Sequence, residues 1–305
     1  MMHRIGLKCG LAMGLAVLLL LAAGCRRGTS DRATAAGSTS ASETGGVEQW
    51  WSAFDFGDST AANRDRAEQM MADWIYATGK ADSLTRVRAA EAFVHRASAS
   101  PRWLAYWQLT DHYLGNPNSP VRDDRLFAAI IREVLNSVAL SAADSLKWAD
   151  RLRCIDRNQV GSVATDFAFV RRDGKRDGAG TLADFVSAHV QKGQYLLLLF
   201  YDPDCDNCKL TLEHMRSDEQ LAEWIEHGQL KVLAVYAEAD LAMWRAHPEE
   251  VNATWYDAYS PDGEVQTHMR YYLPAAPSLY LLDHERRVVL KDATWDMVKG
   301  AVGEV

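Results

Sequence analysis

Cysteine is scarce in this chain, five in 305 residues, and only Cys205 and Cys208 stand close together. A second pair of Cys or His at similar spacing is missing, and His214, His227 and His268 are scattered. Zinc takes three or four such ligands, so a structural metal site is not expected. Positive charge is short as well: 33 Lys and Arg stand against 41 Asp and Glu, a net charge of −8. Counterion release needs clustered cations, so no nucleic-acid partner is expected. The apolar run Gly10 to Ala23 is too short for a comfortable spanning helix, which needs roughly 20 residues. Apolar residues make up 48% of the chain, enough for packed cores, which excludes disorder throughout.

What the N-terminus does have is a basic start, Arg4 and Lys8, ahead of that apolar run, the pattern of a secretory signal. The run ends in Leu21-Ala22-Ala23-Gly24-Cys25, which resembles the lipobox of bacterial lipoproteins, with Ala22 where many have Leu. The resemblance implies removal of residues 1–24, lipidation of Cys25, and a body anchored to a membrane in the bacterial cell envelope, periplasmic or at the cell surface. A plain secretory signal is the alternative. Residues 25–46 then form a Ser-, Thr-, Ala- and Gly-rich flexible linker.

Residues 47–158 carry helical periodicity and no strand signal. Met70, Met71, Trp74 and Ile75 mark one helix, and Leu84, Val87 and Val94 a second. Trp103, Leu104, Trp107 and Leu114 share a face of a third, which Gly115-Asn116-Pro117 stops. Two more run from about Asp123 to Asn136 and from the N-cap Ser141 to about Asp156. Six of the ten tryptophans lie here, spaced to fill helix interfaces; a peptide groove would need them exposed.

From residue 159 to 305 strands and helices alternate, predicting an α/β domain. Strands are expected at Phe167–Val170, Tyr195–Tyr201, Leu230–Tyr236, Ser278–Leu282 and Arg287–Lys291, with a turn at Asp173-Gly174. Helices are expected at Thr181–Val190, Leu210–His227, Asp240–His247, Gln266–Tyr272 and Thr294–Val302. The unbroken run Tyr195–Tyr201 suits a central strand buried on both faces.

Cys205 follows that strand and starts a helix, where unpaired N–H groups and the macrodipole favour a thiolate. Cys208 lies one turn on. Cys205 is the expected nucleophile and Cys208 the deeper, resolving thiol, with Cys154 left over. Ala276-Pro277 enters a strand downstream, and a proline there can be cis.

With these pieces in view, Gly161 to Val305 resembles the thioredoxin fold, specifically the membrane-associated thiol-disulfide oxidoreductases of the TlpA type. The matching stretches are Gly161-Ser162-Val163-Ala164-Thr165-Asp166-Phe167, the Asp173-Gly174 turn, the strand into Cys205-Asp206-Asn207-Cys208, and Ala276-Pro277. Val47 to Asn158, with Phe54-Asp55-Phe56 and Asn116-Pro117-Asn118-Ser119-Pro120, resembles the helical domain of unknown function that precedes such domains in bacterial lipoproteins. The resemblance implies a cis Pro277 facing the dithiol, Ala276 and Pro277 contacting the client polypeptide, and no cofactor. It also implies exported cysteine-containing proteins as clients and an upstream thiol as electron donor. The chain departs from the family at Asp204, where Trp is usual, and at Asp206-Asn207, where Pro is common. The Thr-x-x-Cys arrangement of peroxiredoxins is absent.

Asp202, Asp204 and Asp206 surround the nucleophile with Lys209 as the one nearby cation, and like charge disfavours a thiolate. A reducing or isomerising poise is therefore expected, nearer thioredoxin at about −270 mV than DsbA at about −120 mV. The leading expectation is an enzyme that reduces or exchanges disulfides. A binding or scaffold lipoprotein with little redox activity is the alternative, and a permanent Cys205–Cys208 disulfide a third.

Overall fold

The structure, a computed structural model, describes residues 46–172, 178–248 and 251–303. The signal, Cys25, the linker up to residue 45 and the Asp173-Gly174 turn lie outside the described residues.

Five helices come first: α1 (Ala61–Gly79), α2 (Ser83–Ser98), α3 (Trp103–Thr110), α4 (Asp124–Ser137) and α5 (Ala142–Asp156). Side-chain oxygens of Thr60, Asp82, Asp123 and Ser141 accept backbone N–H bonds at four of their N-termini. Each cap satisfies a donor the helix cannot. The third helix is shorter than its apolar spacing suggests: α3 ends at Thr110, and one π-helical turn carries the chain from Asp111 to Gly115. Leu104, placed by spacing on the buried face, is 62% exposed. On α2 the buried stripe is Ala89, Ala90, Phe93, Val94 and Ala97, whereas Leu84 and Val87 face solvent. That stripe packs against α4. Trp51, Trp74, Trp107 and Trp148 are buried in this core and Trp50 and Trp103 half-buried against it, which favours the packing role over a groove.

The remainder is one seven-stranded mixed sheet in the order β2-β1-β5-β4-β3-β6-β7. Its strands are β1 (Ala168–Arg171), β2 (Gly178–Thr181), β3 (Tyr195–Tyr201), β4 (Leu230–Tyr236), β5 (Tyr256–Tyr259), β6 (Ser278–Asp283) and β7 (Val288–Ala293). β3 runs parallel to β4 and antiparallel to β6. Its alternation divides the interior: Leu197, Leu199 and Tyr201 face one core, Leu196, Leu198 and Phe200 the other. The first face is covered by α7 (Asp206–Arg216), α8 (Glu219–Glu226) and α11 (Trp295–Gly303), with α9 (Leu241–Ala246) contributing Trp244. The second is covered by α6 (Leu182–His189) and the single turn α10 (Glu264–Thr267).

Two expectations fail here, and two strands are new. The helix expected over Leu210–His227 is two, because Asp218 stops one and caps the next through Gln220 and Leu221. β2 and β5 were not foreseen. The helix expected over Gln266–Tyr272 ends at Thr267, and Met269 takes φ of +47°.

The helical and sheet regions form one compact unit. Arg122 pairs with Asp124 and with Asp292 of β7, and the Lys291 ammonium donates to the carbonyls of Ile155 and Arg157. No helix among the described residues is long and apolar enough to cross a membrane.

Candidate active site

β3 delivers the chain to Tyr201, and a turn held by the Asp204 N–H donating to Asp202 Oδ1 (2.9 Å) leads into α7. Cys205 is the N-cap of α7, its Sγ accepting the Cys208 N–H at 3.4 Å. That sulfur occupies the place where a helix gathers positive potential. Cys205 is half-buried; Cys208, one turn along, has no exposed surface. Both are unbonded thiols. Burial is the main cause that pushes the Cys208 thiol up to about 12, while the Asp202 N–H, 3.4 Å from its sulfur, works the other way.

The Ala276–Pro277 peptide is cis. Its loop reaches the dithiol from β6: the Cys205 thiol donates to the Ala276 carbonyl at 3.5 Å, and Ser278 Oγ braces the loop by donating to Ala275 O at 2.7 Å. The structure thus brings Cys205, Cys208, Ala276 and Pro277 together. Beside them lies a cavity of about 130 Å³ lined by Tyr201, Asp202, Glu238, Leu273 and Ala276 among others. That is well below the roughly 300 Å³ of a small-molecule site and suits one side chain. Cys154 is elsewhere, half-buried with its sulfur 3.1 Å from Met269 Sδ. Among the described residues no three His, Cys, Asp or Glu side chains converge to hold a metal.

A buried polar cluster beneath the site was missed by sequence reasoning. Asp257 on β5 accepts from Tyr201 Oη (2.9 Å), Trp244 Nε1 (2.8 Å) and Arg172 Nε (2.6 Å). An acid inside the otherwise apolar Trp255-Tyr256-Asp257-Ala258-Tyr259 is the one signal that marked it. Nearby, burial first and then the charges of Asp202, Glu238, Asp240 and Asp204 push the Tyr236 phenol up to about 12. Acidic groups therefore converge where β3 and β4 end.

Residues 47–158 match a family model described as a domain of unknown function, DUF5106. A thioredoxin-like protein from Bacteroides caccae has a similar structure over 85% of this chain and 91% of its own, at 26% identity and a TM-score of 0.76. The C-terminal domain of an uncharacterised protein from Bacteroides fragilis matches over 48% of this chain and 98% of its own, with 28% identity and a TM-score of 0.43. The thioredoxin domain of a thiol-disulfide oxidoreductase from Bacteroides vulgatus matches over 48% and 96%, with 20% identity and a TM-score of 0.39. No curated protein matches the sequence. The α/β part has a thioredoxin-like fold, and an all-helical region precedes it.

Proposed function

We propose that this protein is a thiol-disulfide oxidoreductase of the bacterial cell envelope that reduces or exchanges disulfides of exported proteins through Cys205 and Cys208. The observation that carries the reading is the half-buried Cys205 sulfur at a helix N-terminus, against the Ala276 carbonyl, with a buried thiol one turn away. The Cys205 thiolate attacks one sulfur of a client disulfide, forming a mixed disulfide and releasing the other client sulfur as a thiolate that takes up a proton. Cys208 then loses its proton and attacks Cys205 Sγ. The second client thiolate leaves and is protonated, and the Cys205–Cys208 disulfide holds the two-electron oxidation. A dithiol donor returns those electrons in the next exchange. Ala276 and Pro277 are the client contacts. Chemistry of this kind needs no bound cofactor.

Insulin reduction by the wild type and by Cys205→Ser is the test. Activity lost in Cys205→Ser supports the enzyme; a wild type that is inactive, with thiols that do not alkylate after mild reduction, sinks it in favour of the scaffold reading. Cys208→Ser should accumulate clients as mixed disulfides. Anchoring rests on the lipobox alone. Several acyl chains, at about 0.8 kcal/mol per buried methylene, hold a protein on a membrane. Cys25→Ser should move the protein from the membrane to the soluble fraction.

A further inference from the structure

The segment His268–Pro274 leads from α10 directly into Ala275-Ala276-Pro277. Two consecutive side chains in it are claimed by different cores. Tyr271 enters the sheet core, its ring centroid 4.9 Å from that of Phe200 and tilted 50° to it, and donates its hydroxyl to Thr165 O at 2.8 Å. Tyr272 turns the other way into the helical core, where it is 4% exposed. Three cations cover its ring: Arg151 of α5 at 5.1 Å, Arg122 ahead of α4 at 5.5 Å and Lys291 of β7 at 5.6 Å.

The backbone is pinned from the same side. Asn158, just past α5 and 5% exposed, donates from Nδ2 to Arg270 O (2.9 Å) and accepts the Thr165 N–H on Oδ1 (2.8 Å). Tyr280, on the strand that leaves the loop, donates its hydroxyl to Tyr272 O at 2.8 Å. The segment that enters the client-contact loop is therefore tied to the helical region through Asn158 and Tyr272 and to β6 through Tyr280.

We propose that the helical region positions the client-contact loop, with Tyr272 and Asn158 as the positioning residues. The inference rests on the thiol-disulfide reading of Cys205. It gives the helical region a task in client binding without a groove of its own. Losing the anchor frees the Ala276 carbonyl to wander, so polypeptide binding weakens while the chemistry at sulfur is untouched.

The test compares a polypeptide disulfide, insulin, with a small aromatic disulfide that has no backbone to dock. In Tyr272→Leu, which loses the ring–cation contacts, and Asn158→Gly, which loses two hydrogen bonds, the KM for insulin should rise roughly fivefold, while the rate with the aromatic disulfide stays within about twofold. Glycine keeps the φ of +50° at position 158 without strain and removes only the side-chain bonds. Tyr272→Phe should behave as wild type, because the Tyr272 hydroxyl is buried without a partner among the described residues. Phe93→Leu, in the aromatic cluster of Trp51 and Trp74, serves as a stability control. If both variants keep the wild-type KM, or if Phe93→Leu raises it equally at a matched loss of Tm, the positioning role is overturned. Should Tyr272→Leu fail to fold, Asn158→Gly decides alone. A wild type that reduces neither disulfide sinks the thiol-disulfide reading itself, and this inference with it.

Discussion

The Cys205 sulfur lies 3.5 Å from the carbonyl oxygen of Ala276, a residue 71 positions later. Register produces the contact. β3 and β6 pair antiparallel with Phe200 opposite Ser278, so the loop entering β6 arrives beside the turn leaving β3. Under the proposed function, a polypeptide bonded to Cys205 would meet a backbone acceptor there, the means by which extended peptides add to a fold.

Cys208 should behave as a reluctant thiol. Burial, its main perturbation, survives in Cys205→Ser, where alkylation of Cys208 should climb about tenfold per pH unit through pH 9. A plateau near 9, the ordinary value, would show the sulfur to be solvated. Because the folded chain holds this proton up to about 12 and the unfolded chain loses it near 9.0, the contribution to stability is complete below about 9 and is lost as pH rises toward 12.

Asp257 should be the costliest polar substitution near the site. Asp257→Ala removes the carboxylate that accepts from Tyr201 Oη and Trp244 Nε1 and that pairs with the partly buried Arg172. Breaking a buried pair from one side costs about 3–5 kcal/mol, and the 23% exposure of the Arg172 side chain argues for the low end. Asp257→Asn keeps Oδ1 as acceptor for both rings and should lose less. Urea unfolding of the two variants measures the difference; equal losses would show that charge, not hydrogen bonding, holds the cluster.

Much of this was legible in the residues. Tyr195–Tyr201 and Leu230–Tyr236 are strands with the bounds their apolar runs suggest, and Ser141 caps α5 as its position implied. The pieces of the candidate site were legible too, since Cys205-Asp206-Asn207-Cys208 follows a strand and Ala276-Pro277 precedes one. What was hidden depends on tertiary partners. β2 is Gly-Ala-Gly-Thr, with no alternation to read. β5 carries Asp257, which only its three donors make tolerable in a core. Tyr271 and Tyr272 look helical beside Val265 because periodicity cannot tell that two neighbours serve two cores.

The alanines of α2 make a prediction of their own. Ala90 of α2 is fully buried in the helical core, so Ala90→Leu must push helices apart or distort a rotamer, at a cost of about 1–3 kcal/mol. Leu84→Gln, on the exposed face of the same helix, should change stability by less than about 0.5 kcal/mol. Denaturant midpoints for the pair check both, and a large loss at Leu84 would mean that this face is covered by something in solution.

The acidic rim should set the direction of electron flow. Asp204 and Asp206 are exposed beside Cys205, and Asp202 is held by the Asp204 N–H. Negative charge around a thiolate makes the reduced couple less stable and its potential more negative. The purified protein, equilibrated in glutathione or dithiothreitol buffers, should show a midpoint below about −180 mV, the protein disulfide isomerase value. Asp204→Asn and Asp206→Asn should each raise it by about 20 mV at low salt, since 30 mV corresponds to about 1.4 kcal/mol and an exposed carboxylate acts through water. The increments should shrink at 1 M salt, where the Debye length is about 3 Å. A wild-type midpoint above −180 mV, or charge-neutral variants that leave it where it was, would mean that the helix N-terminus governs the sulfur and the aspartates only keep the rim wet.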